Sequence, residues 1–209
     1  MGNLIYKKFF KRFIDIVISL LALAIFSPFL ILLSLLIYTN LGSPIIFHQS
    51  RVGKDEKVFK ILKFRSMSNS TDENGKLLPD EKRLNNFGIF LRKTGMDELP
   101  ELINVLRGEM SLVGPRPLLT HYLIEYSEFH KRRHTVRPGI TGLSQVNGRN
   151  DITWKKRLDT DIEYVDNYGF IMDIKIILRT FITLITFNGS TPKGSVIMEE
   201  YKRGSNETD

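Results

Sequence analysis

The feature that most restricts this chain is an apolar run of 26 residues, Phe13 to Tyr38, whose only charge is Asp15. As a straight helix it would reach roughly 39 Å, against a bilayer hydrocarbon core of about 30 Å. Lys7, Lys8, Lys11 and Arg12 precede the run, and Arg51, Lys54, Lys57, Lys60 and Lys63 follow it. Three readings compete. A secretory signal would explain the basic start, and Ala22-Leu23-Ala24 has the form of a cleavage site. The apolar run continues well past Ala24, which counts against cleavage there. A simple spanning helix would put one basic flank on the far side of the membrane, against the positive-inside preference. A helix that enters one leaflet, bends and leaves on the same side keeps both flanks cytoplasmic. Ser27-Pro28 lies near the middle, where proline removes an intrahelical hydrogen bond and crowds the preceding turn. A kink is expected there, with the Ser27 hydroxyl available to a freed carbonyl. Asp15, costly deep in lipid, suits the interface. The balance favours a re-entrant membrane helix kinked at Ser27 and Pro28, within a unit spanning 1–40.

The remainder reads as a cytoplasmic domain, 41–187, followed by a polar tail, 188–209. Ile45-Ile46-Phe47 and Val58 to Phe64 form two short strands around Gly53-Lys54-Asp55, a plausible hairpin. Ser68 to Pro79 is turn-rich and reads as an exposed loop. Helical spacing recurs over Asp80 to Lys93, Pro100 to Arg107, Leu118 to Arg133 and Thr153 to Tyr168. Phe170 to Phe187 is apolar but contains Asp173, Lys175 and Arg179, so a helix lying in the interface or on the core fits better than a second span. The fold class expected is α+β, mainly helical, with the re-entrant helix, interfacial amphipathic helices and a small β-hairpin. Two function classes fall away on composition. The chain has no cysteine, which excludes thiol nucleophiles and cysteine-ligated metals. Its 4 histidines argue against a histidine-rich centre. A net charge of +7 points to anionic partners, among them membrane lipids or a phosphorylated substrate. Acids alternate with the bases instead of leaving a long basic stripe, so nucleic acid is not expected.

The densest chemistry is Asp97-Glu98-Leu99-Pro100-Glu101, two adjacent carboxylates at the start of a helix, where ionised side chains are favoured. Gly114-Pro115-Arg116-Pro117 follows shortly after. Two prolines fix the backbone on either side of Arg116, so its guanidinium is presented at a defined place to a phosphate or planar base. Lys63 and Arg65, Arg137 in Arg-Pro-Gly, and Arg149 in Asn-Gly-Arg supply further cations. Each alone is an ordinary surface charge; together they could line a diphosphate site. A Mg2+ ion on Asp97 or Glu98, completed by water, matches hard-oxygen coordination.

Lys11-Arg12-Phe13-Ile14-Asp15, Ser27-Pro28, Lys63 to Met67, Asp97 to Pro100, Ser111 to Pro117 and Arg137 to Gly142 occur together and in order. In these motifs the chain resembles the bacterial sugar transferase family, the monotopic phosphoglycosyl transferases, in its short form. The likeness runs from about Lys7 to about Leu184. It is nearest to the bacillosamine-phosphate transferase branch, through Asn147-Gly148-Arg149 and overall length. The resemblance implies transfer of a sugar 1-phosphate from a UDP-sugar to polyprenyl phosphate with release of UMP, at the cytoplasmic face of a bacterial inner membrane. It implies Asp97 as the nucleophile, Glu98 in the metal and acid–base environment, and Arg116 near the nucleotide. Lys63, Arg149 and Asp161 match other polar positions of that family's site. The sugar and the oligomeric state stay open. The competing readings are a membrane-tethered basic binding module and a scaffold, neither of which gives the carboxylate pair a purpose.

Overall fold

The computed structural model describes residues 2–148 and 152–185. Arg149 and the tail at 188–209 lie outside the described residues. Helix α1, Lys11–Leu41, dominates, continuing from a π-helical turn at Tyr6–Phe10. It is the only helix among the described residues long and apolar enough to cross a membrane. Helical geometry continues through Pro28. The carbonyl that Pro28 cannot engage is that of Ala24, and the Ser27 hydroxyl donates to it at 2.9 Å. Outward side chains such as Phe13, Leu20, Ile25 and Ile31 are exposed, while Asp15, Ser19, Leu33, Ile37 and Leu41 are buried.

Strands β1, Ile46–Val52, and β2, Val58–Phe64, form the expected antiparallel hairpin, with Ile46 opposite Phe64 and Val52 opposite Val58. The first strand is longer than its apolar residues suggest, because His48, Gln49 and Ser50 pair through backbone atoms. The expected helix over Asp80 to Lys93 is two pieces, Asp80–Arg83 and α2, Asn86–Thr94. The break falls at Asn85, whose carboxamide oxygen caps the Gly88 N–H at 2.8 Å. Helix α3, Glu101–Arg107, follows, then strand β3, Ser111–Val113.

Leu118 to Arg133 does not form one helix. It folds as short turns at Thr120–Glu125 and Glu128–Lys131, continuing at Arg132–Thr135. Tyr126 is extended, and Ser127 starts the second turn by capping the His130 N–H. Strand β4, Gly139–Thr141, runs parallel to β3, a pairing that periodicity did not suggest. Gly114 allows it: a Cβ there would lie 2.4 Å from the Arg137 carbonyl oxygen. Helices α4, Trp154–Asn167, and α5, Phe170–Ile185, complete the body. Helix α5 is amphipathic, burying Asp173 and Ile176 while exposing Phe170, Ile171, Leu178 and Phe181. The fold is thus mainly helical α+β, with a long apolar N-terminal helix and two small sheets.

The helices are locked together by polar as well as apolar contacts. Leu33, Ile37 and Leu41 of α1 pack with Phe64 and Leu91. Near the other end of α1, the Arg12 guanidinium donates to the carbonyls of Val105 and Leu106 at 2.6 and 3.0 Å. Asp15 accepts from the Leu112 N–H at 3.0 Å. Asp173 receives Tyr6 and Lys11 at 2.6 Å each and Tyr164 at 2.8 Å, joining α1, α4 and α5.

Candidate active site

Asp97 and Glu98 sit on a 3-10 turn, Met96–Glu98, between α2 and α3. Gly95 ends α2 with a left-handed backbone, φ 69°, which turns the chain sharply into the carboxylates. Asp97 is buried at 8% exposure and has no hydrogen-bond partner among the described residues. Burial and the neighbouring Glu98 charge push its carboxyl up to about 6, against the weaker pull of Lys63, Arg92 and Arg116.

Glu98 is in the opposite position. Its Oε1 lies 2.7 Å from Lys63 Nζ and 2.7 Å from Arg116 Nη2. Burial alone would raise its carboxyl, but the two cations outweigh that and hold it well below the usual carboxylate range. Lys63 comes from β2, and its Nζ also lies 3.1 Å from Glu101 Oε1, close enough for an ion pair although the oxygen lacks hydrogen-bond geometry. Burial would lower the Lys63 ammonium; Glu98 and Glu101 reverse that, and the net shift is upward. Glu101 is 1% exposed, and burial raises its carboxyl to about 7. The carboxyl that titrates near neutrality is therefore Glu101, while Glu98 stays ionised.

Arg116 is set in place from behind. Arg133 Nη2 donates to the Arg116 carbonyl at 2.7 Å and to Asp161 Oδ2 at 2.7 Å. The second Asp161 oxygen accepts from Ser144 at 2.8 Å. Asp161 is 1% exposed and both its oxygens accept from protein groups, so it acts as a support for Arg133. Two further guanidiniums face Arg116. Arg51 from β1 and Arg157 from α4 are each lowered to about 10, first by burial and then by the Arg116 charge. Glu98 serves Arg116 as counter-anion and Arg51 donates to Gln49 Oε1 at 2.6 Å, yet three guanidiniums gathered here repel one another, a cost that an added anion would offset.

The structure thus brings Lys63, Asp97, Glu98 and Arg116 together, with Asp161 supporting them. Arg65 is buried and donates to the Ser43 carbonyl at 2.8 Å. Arg137 donates to the Gly108 carbonyl at 2.8 Å, at the far end of α3 from Asp97. Sequence reasoning missed Arg51, Arg92, Glu101, Arg133 and Arg157. Glu101 could have been found, since it falls one helical turn after Asp97; the arginines carry no local signal that separates them from surface charges.

For Mg2+, the residues present offer carboxylate oxygen, the donor type that ion takes. No group of three or more metal-ligating side chains occurs among the described residues. Mg2+ is commonly held by one or two carboxylates, with substrate phosphate oxygens and water filling the rest of its shell. The uncompensated Asp97 carboxylate is one such group.

Comparison with known proteins points the same way. The family model described as bacterial sugar transferase matches residues 6–187. The chain is 43% identical over 191 residues to an uncharacterized sugar transferase, EpsL, of Bacillus subtilis strain 168, covering 91% of this chain and 95% of that one. It is 40% identical over 182 residues to the UDP-glucose:undecaprenyl-phosphate glucose-1-phosphate transferase of Escherichia coli K12, covering 81% of this chain and 39% of that protein. It is 38% identical over 201 residues to the UDP-galactose-lipid carrier transferase of Erwinia amylovora, covering 88% and 42%. The last two relatives are longer, and the chain spans about two fifths of each. With nearly its whole length matched, from the π-helical turn through α5, the chain belongs to the bacterial sugar transferase family.

Proposed function

We propose that this chain transfers a sugar 1-phosphate from a UDP-sugar to polyprenyl phosphate, releasing UMP, with Asp97 as covalent nucleophile. The observation that carries the proposal is the buried Asp97 carboxylate, without a hydrogen-bond partner among the described residues, beside a cluster of cations. The names of the glucose and galactose relatives supply the donor class and the undecaprenyl phosphate acceptor. A desolvated carboxylate is a better nucleophile than a hydrated one, and Asp97 ionises above about pH 6.

In the first step an Asp97 carboxylate oxygen attacks the β-phosphorus. The bond from that phosphorus to the bridging oxygen breaks, and UMP leaves with the electron pair. In the second step a phosphate oxygen of the acceptor attacks the same phosphorus and the carboxylate departs. Arg116, Arg51 and Arg157 offset the charge gathered when anionic substrates meet. Glu98 holds Lys63 and Arg116 together. Bound Mg2+, held by Asp97 or Glu98, would supply further neutralisation of the phosphates.

The re-entrant path of α1 is part of the same proposal. A straight helix of 31 residues is roughly 46 Å long. Arg12 and Asp15 near its start, and Leu33 to Leu41 at its end, all contact the same body. Between Ser19 and Leu33 no residue is buried. That interval is roughly 20 Å of helix, too short for a bilayer core of about 30 Å and centred near Ser27-Pro28. Such a helix dips into one leaflet and holds the site at headgroup depth, beside the acceptor phosphate.

The test is a labelled UDP-sugar incubated with the protein, Mg2+ and polyprenyl phosphate. A panel of an N,N'-diacetylated diamino sugar, N-acetylglucosamine, N-acetylgalactosamine, galactose and glucose, each as its UDP derivative, identifies the donor. Asp97→Asn is expected to abolish UMP release, and acid-quenched wild type to carry the phosphosugar mass on the peptide containing Asp97. Unchanged turnover in Asp97→Asn defeats the mechanism.

A further inference from the structure

A charged cleft lies away from Asp97. A cleft of about 90 Å3 is lined by Lys7, Lys8, Lys11, Arg12, Lys54 and Arg137, with Asp15 the only carboxylate on its wall. A small depression of about 20 Å3 adjoins it, sharing Lys11 and Asp15, with Tyr6 and Asp173 beside Ile14, Ile18, Phe170, Ile174 and Ile177 on its wall. We propose that the basic cleft holds the headgroup phosphate of one anionic phospholipid, whose acyl chains run over the exposed apolar faces of α1 and α5.

Three observations carry this. The first is the supply of donors. Lys11 is committed to Asp173, and Arg12 to the carbonyls of Val105 and Leu106. Lys8 is exposed, and among the described residues Lys54 pairs with the exposed Asp55 alone, at 4.0 Å. Lys7 stacks over the Tyr168 ring at 4.1 Å. Arg137 uses its Nε on Gly108, while its terminal nitrogens make no hydrogen bond among the described residues. Lys7, Lys8, Lys54 and Arg137 therefore supply ammonium and guanidinium donors for phosphate oxygens.

The second observation is depth. Phe9 on the π-helical turn, Phe13 on α1, and Ile171 and Phe181 on α5 are exposed and apolar, as a lipid-facing surface requires. The cations sit where that surface ends, the level at which headgroup phosphates lie. The third is separation from the chemistry. Arg12 and Arg137 engage the C-terminal end of α3, whereas Asp97 and Glu98 precede its first residue. The helix between them is roughly 10 Å long. A phosphate in the cleft is thus a resident lipid and not the reacting acceptor.

The inference rests on the membrane-edge placement proposed above but not on Asp97 chemistry, and UMP release measured in parallel separates the two. The experiment uses the full chain in dodecyl maltoside. Phosphatidylglycerol, phosphatidylcholine, inorganic phosphate and polyprenyl phosphate are added separately, and polyprenyl phosphate also in competition with phosphatidylglycerol. Bound lipid is counted by native mass spectrometry, and thermal unfolding is followed in the same samples. Wild type is expected to retain one phosphatidylglycerol and to unfold at higher temperature with it, but not with phosphatidylcholine or inorganic phosphate. Lys8→Gln with Lys54→Gln, both exposed, should weaken phosphatidylglycerol binding about tenfold or more. Lys76→Gln with Lys82→Gln, an equal loss of charge on the exposed loop region, should leave it intact. Equal weakening in both double variants would mean diffuse charge and overturn the site. So would equal retention of phosphatidylcholine, absence of any bound phosphatidylglycerol, or displacement of it by polyprenyl phosphate together with a raised acceptor KM in the Lys8/Lys54 variant.

Discussion

Replacing Asp97 by Asn should make the protein inactive and more stable at once, and the stability gain should grow with pH. In the folded chain the carboxyl is pushed from 3.8 up to about 6. Below pH 3.8 it is neutral whether folded or unfolded, and burial costs nothing. Above about 6 it is ionised in both states, and the folded state carries the full desolvation penalty. About two units at about 1.36 kcal/mol each amount to roughly 3 kcal/mol at pH 8. At pH 5 the unfolded carboxyl is mostly ionised and the folded one mostly not, so roughly half of that applies. Asparagine stays neutral throughout and removes the penalty. For a chain of this size, 3 kcal/mol raises the unfolding midpoint by roughly 6–12 °C. Trp154, the single tryptophan, is buried against Tyr122 and reports the transition by fluorescence in detergent. If the variant is no more stable than wild type at pH 8, or gains equally at pH 5 and pH 8, Asp97 is not held at a desolvation cost and its assignment as nucleophile loses its physical basis.

The same carboxyl sets the rate profile: kcat/KM should fall about tenfold per pH unit below about pH 6, and a flat profile down to pH 5 would contradict it. Asn104 is fully buried and links β2 to α3, accepting from the Leu62 N–H at 2.9 Å and donating to the Lys60 carbonyl at 2.9 Å. Asn104→Ala should cost about 2–4 kcal/mol by thermal unfolding, because it strands two buried backbone groups. Asp161→Asn leaves the Arg133 guanidinium buried without its counter-charge and should cost about 3–5 kcal/mol. Loss of activity in that variant should track loss of fold and be rescued in part by Asp161→Glu, which a substrate ligand would not require. Arg51→Gln should raise the donor KM more than it lowers kcat, as measured by initial rates over a range of UDP-sugar.

Local signals in the sequence reach some of this architecture and stop short of the rest. The apolar run, the hairpin and the Pro100-to-Gly108 helix are encoded by neighbours in the chain, through period, proline and glycine. Leu118 to Arg133 has helical spacing, yet the chain is extended at Tyr126 and Ser127 caps a new turn, a choice made by packing with Leu118, Trp154 and Leu158. The β3–β4 pairing joins two three-residue strands across a long stretch of sequence, and nothing in either triplet announces its partner. The site divides in the same manner. Asp97, Glu98 and Arg116 stand out because their motifs are dense. Asp161 and Asp97 are both buried aspartates among charged neighbours, and only the hydrogen bonds to Arg133 and Ser144 show that the first is satisfied on both oxygens.

The division of labour among Asp97, Glu98 and Glu101 follows from how few cations touch them. Lys63 and Arg116 converge on a single oxygen, Glu98 Oε1, so their charge is spent there first. Glu101 receives only the side of Lys63, and Asp97 receives no direct contact, which is why burial dominates both and raises them. A nucleophile paired as Glu98 is would be a stable anion with little drive to attack phosphorus. A nucleophile left unpaired without Glu98 nearby would face two bare cations and be drawn into the pair itself. Glu98→Gln should therefore lower the pKa of Asp97, since a like charge is removed and two cations are released toward it. The acid limb of the pH–rate profile should move to lower pH while the maximal rate drops. A limb that stays near pH 6 would show that Glu98 does not govern the charge of its neighbour.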